Sequence, residues 1–421
     1  MHLKENRNWL VWLFFLGALI DILYILNTFG WYGLISWEIA IFFLPLCVIG
    51  IIWTSRRIIG VKKGRINKYK HSLVVFSLII FIIFSIFSII PFLYVPQMGD
   101  QFEEKFKEKF GENYWEKIPE KYRKYLKTQG NYFDNRDLKY FFNRDIDIEK
   151  NVAYGDENEY QIMDIYEDKS IEEKNKPALI LVHGGGSTTF VKKDSSYYKW
   201  TCRYFASLGF VAFSIEYTPA PIKPFPQAVK DVRTAIVHIK KNAEKYNIDN
   251  NSVVLMGGSR GGHLVTISAY TGVNDADEGS WWRQNGGNFT AEELRVACVI
   301  DLYGAVDQFY SFEHNGFLKS RNEIIFGGSP VEKKELYEKH TCKNYVSKEC
   351  PPTLIMHGSI DGMVQVGESQ GLAKALNNEG GFYIYLEIPF GQHGFDVIPG
   401  TAGNSLAYYF IPRFIFLILY A

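Results

Sequence analysis

The sequence predicts an α/β fold, a mostly parallel doubly wound sheet, carried behind an N-terminal helical segment of membrane composition. Three observations point to it. Apolar runs of strand length alternate with helical patterns from about residue 138 to the C-terminus. Two glycine-rich turns each follow one of these runs. Ahead of both, three apolar stretches fill most of the first hundred residues of a 421-residue chain.

Those stretches, 9–29, 35–53 and 72–95, are each near the ~20 residues that cross a bilayer. The third carries no charged residue. Three spanning helices are expected, a buried helical bundle being the rival reading. No small-residue cleavage site follows the first, which argues against a signal peptide. Arg56, Arg57, Lys62, Lys63, Arg65, Lys68 and Lys70 separate the second from the third, whereas the turn 30–34 is uncharged. The positive-inside rule then places the N-terminus and this basic loop in the cytoplasm, and everything after Val95 on the extracytoplasmic side. Asp21 and Glu38 lie in the outer halves of their helices, within reach of interfacial water. The expected division is a membrane anchor at 1–97, a juxtamembrane linker at 98–137 and a catalytic domain at 138–421.

In the linker, Phe102, Phe106 and Phe110 recur every four residues, so they share one helical face. Two readings fit that face: an amphipathic helix lying in the membrane interface, or one packed against the following domain. Beyond it, buried parallel strands are expected at 178–182, 210–215, 253–256, 296–302, 353–356 and 382–388. An antiparallel edge is expected at 145–152 and 160–166. The clearest helix, 227–246, puts Val229, Val232, Ala235, Ile236 and Ile239 on one face. Formal net charge is zero, which removes nucleic acid as an expected partner. Cys342 and Cys350 are close enough in sequence to pair, and equally read as free thiols.

The chemistry concentrates in four places. Gly257-Gly258-Ser259-Arg260-Gly261-Gly262 stands between a buried strand and a helix, the setting in which a serine is held on a strained turn with its hydroxyl presented. Gly257 and Gly261 flank it because side chains there would collide across the turn. His183-Gly184-Gly185-Gly186 ends the first parallel strand. An attacked carbonyl becomes an oxyanion, and amides of consecutive glycines approach it closely. Gly184, Gly185 and the amide of Arg260 are assigned that role. Asp361 follows the strand at 353–356, and His393 follows the last. His393 would take the Ser259 proton, and Asp361 would orient the imidazole.

Asp301 and Asp307 are rival acids; His183, His263 and His357 read as structural. The scattered histidines and cysteines match no zinc spacing, and the glycine turns lack a phosphate-loop lysine. Neither metal nor cofactor is expected. Trp281, Trp282, Phe309, Tyr310, Phe312 and Phe317 lie in two insertions and read either as a cap over an acyl pocket or as packed surface loops. The apolar tail 405–421 reads as a helix packed on the sheet, a fourth span being the rival.

On these motifs the chain resembles the α/β-hydrolase superfamily, in the esterase and lipase branch similar to hormone-sensitive lipase, from about Asp145 to the C-terminus. Its carriers are His183-Gly-Gly-Gly186, Gly257 to Gly262, His357-Gly-Ser-Ile-Asp361, His393-Gly-Phe395 and Pro224 to Asp231. The resemblance implies a serine carboxylic-ester hydrolase acting on a small-molecule or envelope ester. Position 260 departs from it: that branch usually has alanine after the nucleophile. Serine peptidases of the prolyl oligopeptidase type accept larger residues there, and an acyltransferase uses the same triad, so both stand as alternatives.

Overall fold

The structure, a computed structural model, describes residues 68–134, 145–185, 192–274, 277–314 and 316–421, with residue 139 and scattered positions between 48 and 56. The first apolar segment, most of the second, Asp21, Glu38, Cys47, most of the basic loop and Gly186 lie outside them.

Eight strands form one sheet in the order β1-β2-β4-β3-β5-β6-β7-β8. β1 (Asp147–Ala153) and β2 (Ile162–Glu167) make the antiparallel edge. β3 (Lys176–Val182), β4 (Val211–Ile215), β5 (Ile248–Gly258), β6 (Cys298–Leu302), β7 (Thr353–Gly358) and β8 (Tyr383–Ile388) run parallel. β3, β4, β6 and β7 are buried throughout, as continuous apolar runs between two helical layers must be. Every expected strand is present. The expected helix at 227–246 stops at Lys241, because Asn242 leaves helical geometry and the chain turns through Asn247 at φ +53° into β5.

The longest element is helix α1 (Lys68–Phe110), 43 residues without interruption. It runs straight through the expected boundary between anchor and linker. Its last turns pack against the catalytic domain. Phe102 and Phe106 are buried, with their rings 5.5 and 5.1 Å from Phe410. Burying a phenylalanine fully contributes about 1.5–3 kcal/mol, so this face fastens α1 to the domain. Phe410 belongs to the C-terminal helix, Ala402–Tyr420, which the Thr401 side chain caps by accepting the Asn404 N–H. That helix is long and apolar enough to cross a membrane, yet 89% of its apolar window is buried within the protein. Arg413 inside it is also buried, donating to the carbonyls of Tyr409 and Lys127, each at 2.6 Å, above the Trp115 ring. The tail is a core helix packed behind the sheet.

The aromatic insertions pack inward as well. Trp282 is fully buried with its ring 5.0 Å from His340, and Phe309 and Phe312 pack on Tyr337. Cys342 and Cys350 are separate free thiols.

Candidate active site

Parallel strands deliver their connecting segments to one edge, so residues far apart in sequence converge past the carboxyl ends of β3, β5, β7 and β8. Ser259 stands between β5 and helix α2 (Arg260–Asn274) at φ +59°, a left-handed value that serine adopts only when its surroundings force it. The glycines make the turn feasible. A Cβ at Gly257 would lie 2.4 Å from the Gly261 carbonyl, and one at Gly261 would lie 2.1 Å from the Val182 carbonyl oxygen. Ser259 donates its N–H to the Leu302 carbonyl at 2.9 Å, which ties the turn to β6.

His393 accompanies Asp361: Nδ1 lies 2.8 Å from Asp361 Oδ2. The other Asp361 oxygen accepts the N–H groups of Met363 and Val364 at 2.8 and 2.9 Å. His357 Nε2 lies 3.3 Å from Oδ2 and 2.9 Å from the Val364 carbonyl. Burial by itself would raise the Asp361 carboxyl; the charge and hydrogen bonds of His393 and His357 outweigh it and hold the group well below the carboxylate range. In turn, burial would lower His357, but its bond to Asp361 raises it.

The rival acids are engaged elsewhere. Asp307 pairs with Lys343 at 2.5 Å. Asp301 accepts the Gly304 N–H at 3.0 Å beneath the elbow, and burial pushes its carboxyl up to about 7. His183 tethers its glycine loop: Nδ1 meets the Gly184 carbonyl at 2.9 Å and Nε2 meets Glu216 at 2.7 Å. His263 is buried, its Nε2 on the His340 carbonyl at 2.8 Å, and desolvation holds its pKa well below normal.

One expectation needs correction. Gly184 does sit against the nucleophile, since a Cβ there would lie 3.2 Å from Ser259 Cβ. Its N–H, however, donates to the Tyr198 hydroxyl at 2.6 Å, so that donor is already committed. The Arg260 side chain is buried, donating to Gln308 at 3.2 Å and Asn322 at 2.9 Å, with its guanidinium 5.7 Å above Phe225. Desolvation lowers its pKa to about 10.

Sequence reasoning missed a tyrosine layer beside His393. Asp396, fully buried, accepts the Tyr303 hydroxyl at 2.7 Å and that of Tyr197. The Tyr303 ring meets the His393 imidazole edge-on with centroids 4.7 Å apart. Tyr303 itself is held at φ +42°. Asp396 lies three positions after His393, the one signal available in sequence.

An eight-stranded, mostly parallel sheet with a serine elbow after β5 and an Asp–His pair beyond β7 and β8 defines the α/β-hydrolase class. The BD-FAE family model matches residues 163–376, and the chain belongs to that family. It is similar to Esterase LipC of Mycobacterium tuberculosis, 28% identical over 268 residues, 62% of each chain. It is also similar to the probable carboxylic ester hydrolase LipM of the same organism, 26% identical over 61% of this chain and 58% of the relative. The chain thus spans about three-fifths of the length of these relatives. Among solved structures, esterase B from Lactobacillus Rhamnosis superposes with a TM-score of 0.56 at 19% identity, over 68% of this chain and 91% of the other, a likeness of fold.

Proposed function

We propose that the protein is a membrane-anchored serine hydrolase that cleaves a carboxylic ester through an acyl-enzyme. The single observation that carries this reading is the 2.8 Å bond between His393 Nδ1 and Asp361 Oδ2, on the edge where Ser259 occupies its strained turn. With Nδ1 committed to the carboxylate, Nε2 is the nitrogen that takes the Ser259 proton as Oγ attacks the ester carbon. The carbonyl π electrons move to oxygen, and that oxyanion is met by the Arg260 N–H at the start of α2 and by Gly185 in its left-handed turn at φ +97°. Collapse expels the alcohol, which receives the proton from His393. Water then repeats the sequence and releases the acid. Asp361, held ionised, stabilises the imidazolium at both steps.

The anchor rests on the three apolar segments and the basic loop, which together support a multi-pass chain with its catalytic domain on the extracytoplasmic side. The named esterases among its relatives support the reaction class. Fluorophosphonate labelling of the full chain, followed by kcat/KM on acyl esters against peptide amides, tests both the nucleophile and the bond cleaved. Ser259→Ala should abolish labelling and reduce ester turnover by on the order of a million-fold. Labelling at the wild-type rate in that variant rejects the nucleophile, and amides cleaved as fast as esters reject the ester reading for a peptidase.

A further inference from the structure

The direction in which the site faces follows from how α1 docks on β8, given the esterase and anchor readings above. The contacts of α1 with the last strand run in one order. The Tyr94 ring lies 5.3 Å from Phe390, two residues past the carboxyl end of β8. Lys105 Nζ donates to the Tyr385 carbonyl at 2.7 Å in mid-strand. Phe110 lies 5.5 Å from Phe382, at the amino end. The helix therefore runs antiparallel to β8, and everything before Tyr94 projects beyond the carboxyl edge, the edge that holds Ser259, Asp361 and His393. From Lys68 to Tyr94 that projection is about 39 Å at 1.5 Å per residue, a bilayer's thickness and more. Pro91 and Pro96 bend such a helix without reversing it.

What projects is apolar and, among the described residues, uncovered. Phe76, Ile79, Ile83 and Ile86 follow helical spacing and are all exposed, in a stretch without a charge from Ser72 to Gly99. The same edge carries further exposed apolar residues. Leu93 is 69% exposed, and Phe133 is exposed while stacked on Phe92 at 5.9 Å. Ile222, in the loop after β4, and Ile360, beside Asp361, are both exposed. Exposed Ile324 precedes Ile325, whose carbonyl accepts the Phe225 N–H from that same β4 loop. Isolated apolar residues on a surface mean little; their gathering on the edge from which a spanning-length helix emerges has a physical cause.

We propose that the catalytic edge of the sheet faces the bilayer that α1 enters, and that the ester is an amphiphile held in that same membrane, its acyl chain in the lipid and its ester group at the interface. The occupant of the exposed face is lipid: a continuous uncharged stripe of this length, flanked by the basic residues up to Lys70 at its far end, matches hydrocarbon bounded by headgroups. Segment lengths leave the site close to the interface, because the helix meets the domain at Tyr94, beside the loop that bears His393.

The test uses the full chain, with Cys47→Ser, reconstituted in phosphatidylcholine vesicles. A fluorophore is placed by Ile222→Cys on the catalytic edge, or by Glu172→Cys on the segment leading into the amino end of β3. Brominated phospholipid should quench the first at least about threefold more strongly than the second. Equal quenching, or stronger quenching at Glu172→Cys, overturns the orientation. A long-chain acyl ester in the same vesicles as the enzyme should be hydrolysed at least about tenfold faster than the same ester in separate vesicles, since a shared membrane raises its effective concentration. Equal rates overturn the membrane-held substrate. A soluble acetyl ester is measured alongside: failure to cleave it rejects the esterase reading, while the quenching result decides the orientation regardless.

Discussion

Two segments at the carboxyl edge each bury an aspartate beside the same imidazole, and they treat it in opposite ways. In the loop after β7, Asp361 sits between two histidines and accepts two backbone N–H groups. In the segment after β8, Asp396 sits between two tyrosine hydroxyls. Burial raises both carboxyls. Around Asp361 the imidazole charges and hydrogen bonds outweigh that cost and hold it low; around Asp396 the neutral hydroxyls do not, and its pKa is raised. Equal burial therefore leaves one acid fitted to stabilise a positive imidazolium and the other fitted to brace a ring. The partners, not the depth, decide the role.

Asp361→Asn is the sharpest way to break this contrast. The amide keeps the shape but loses the charge, and it leaves His393 free to take the wrong tautomer. Ester kcat should fall by roughly ten-thousand-fold. Stability should respond too, with a defined sign. Because the folded carboxyl is held below its unfolded value of about 3.9, its contribution is present above that pH and is lost as pH falls through the folded value. Melting curves of wild type and Asp361→Asn should therefore differ at neutral pH and converge towards strongly acidic pH. Activity near wild type in this variant would move the acid elsewhere.

Asp396→Asn should do much less. Tyr303 keeps an acceptor and His393 keeps its charged partner, so ester kcat/KM should drop no more than about tenfold, through a looser imidazole. Tyr303→Phe should mimic it, because it removes the same hydrogen bond from the other end. A thousand-fold loss in either would give Asp396 a share of the chemistry and dissolve the distinction between the two segments.

What was legible in the sequence follows the same division between local and distant partners. Ser259 was legible because glycines two residues away on each side act across a single turn. The strands were legible because burial on both faces writes a continuous apolar run. Asp361 and His393 were legible as loop residues after strands in the right order. Tyr198 was not: it reaches the Gly184 N–H from a helix on the other side of the glycine loop, and nothing local marks it. The burial of Arg260 was hidden because its acceptors, Gln308 and Asn322, lie 48 and 62 residues away in an insertion. The docking of α1 was hidden likewise, since Phe102 and Phe106 find Phe410 at the opposite end of the chain.

The smallest effect on activity is expected at Asp301, a buried acid of this edge that touches neither His393 nor the nucleophile's side chain. Its Oδ1 accepts the Gly304 N–H, while Oδ2 is buried without a hydrogen-bond partner among the described residues. Asparagine retains the one bond made, so Asp301→Asn should leave ester turnover at pH 7 close to wild type. Its consequence is a change of slope. Burial raises the folded pKa to about 7, above an unfolded value of about 3.9. Such a group favours the folded state fully below the unfolded value, and that advantage is lost as pH rises through about 7. A shift of this size is worth on the order of 4 kcal/mol as an upper bound. Glu368, raised by burial to about 8, tilts the curve in the same direction, so Glu368→Gln is measured as a companion. Chemical denaturation in detergent at pH 5 and pH 8 should show wild type losing stability across that interval and Asp301→Asn losing measurably less. An unchanged slope would mean that Asp301 is ionised in the folded protein, and burial without a charged partner would then not suffice to keep an acid neutral beside this site.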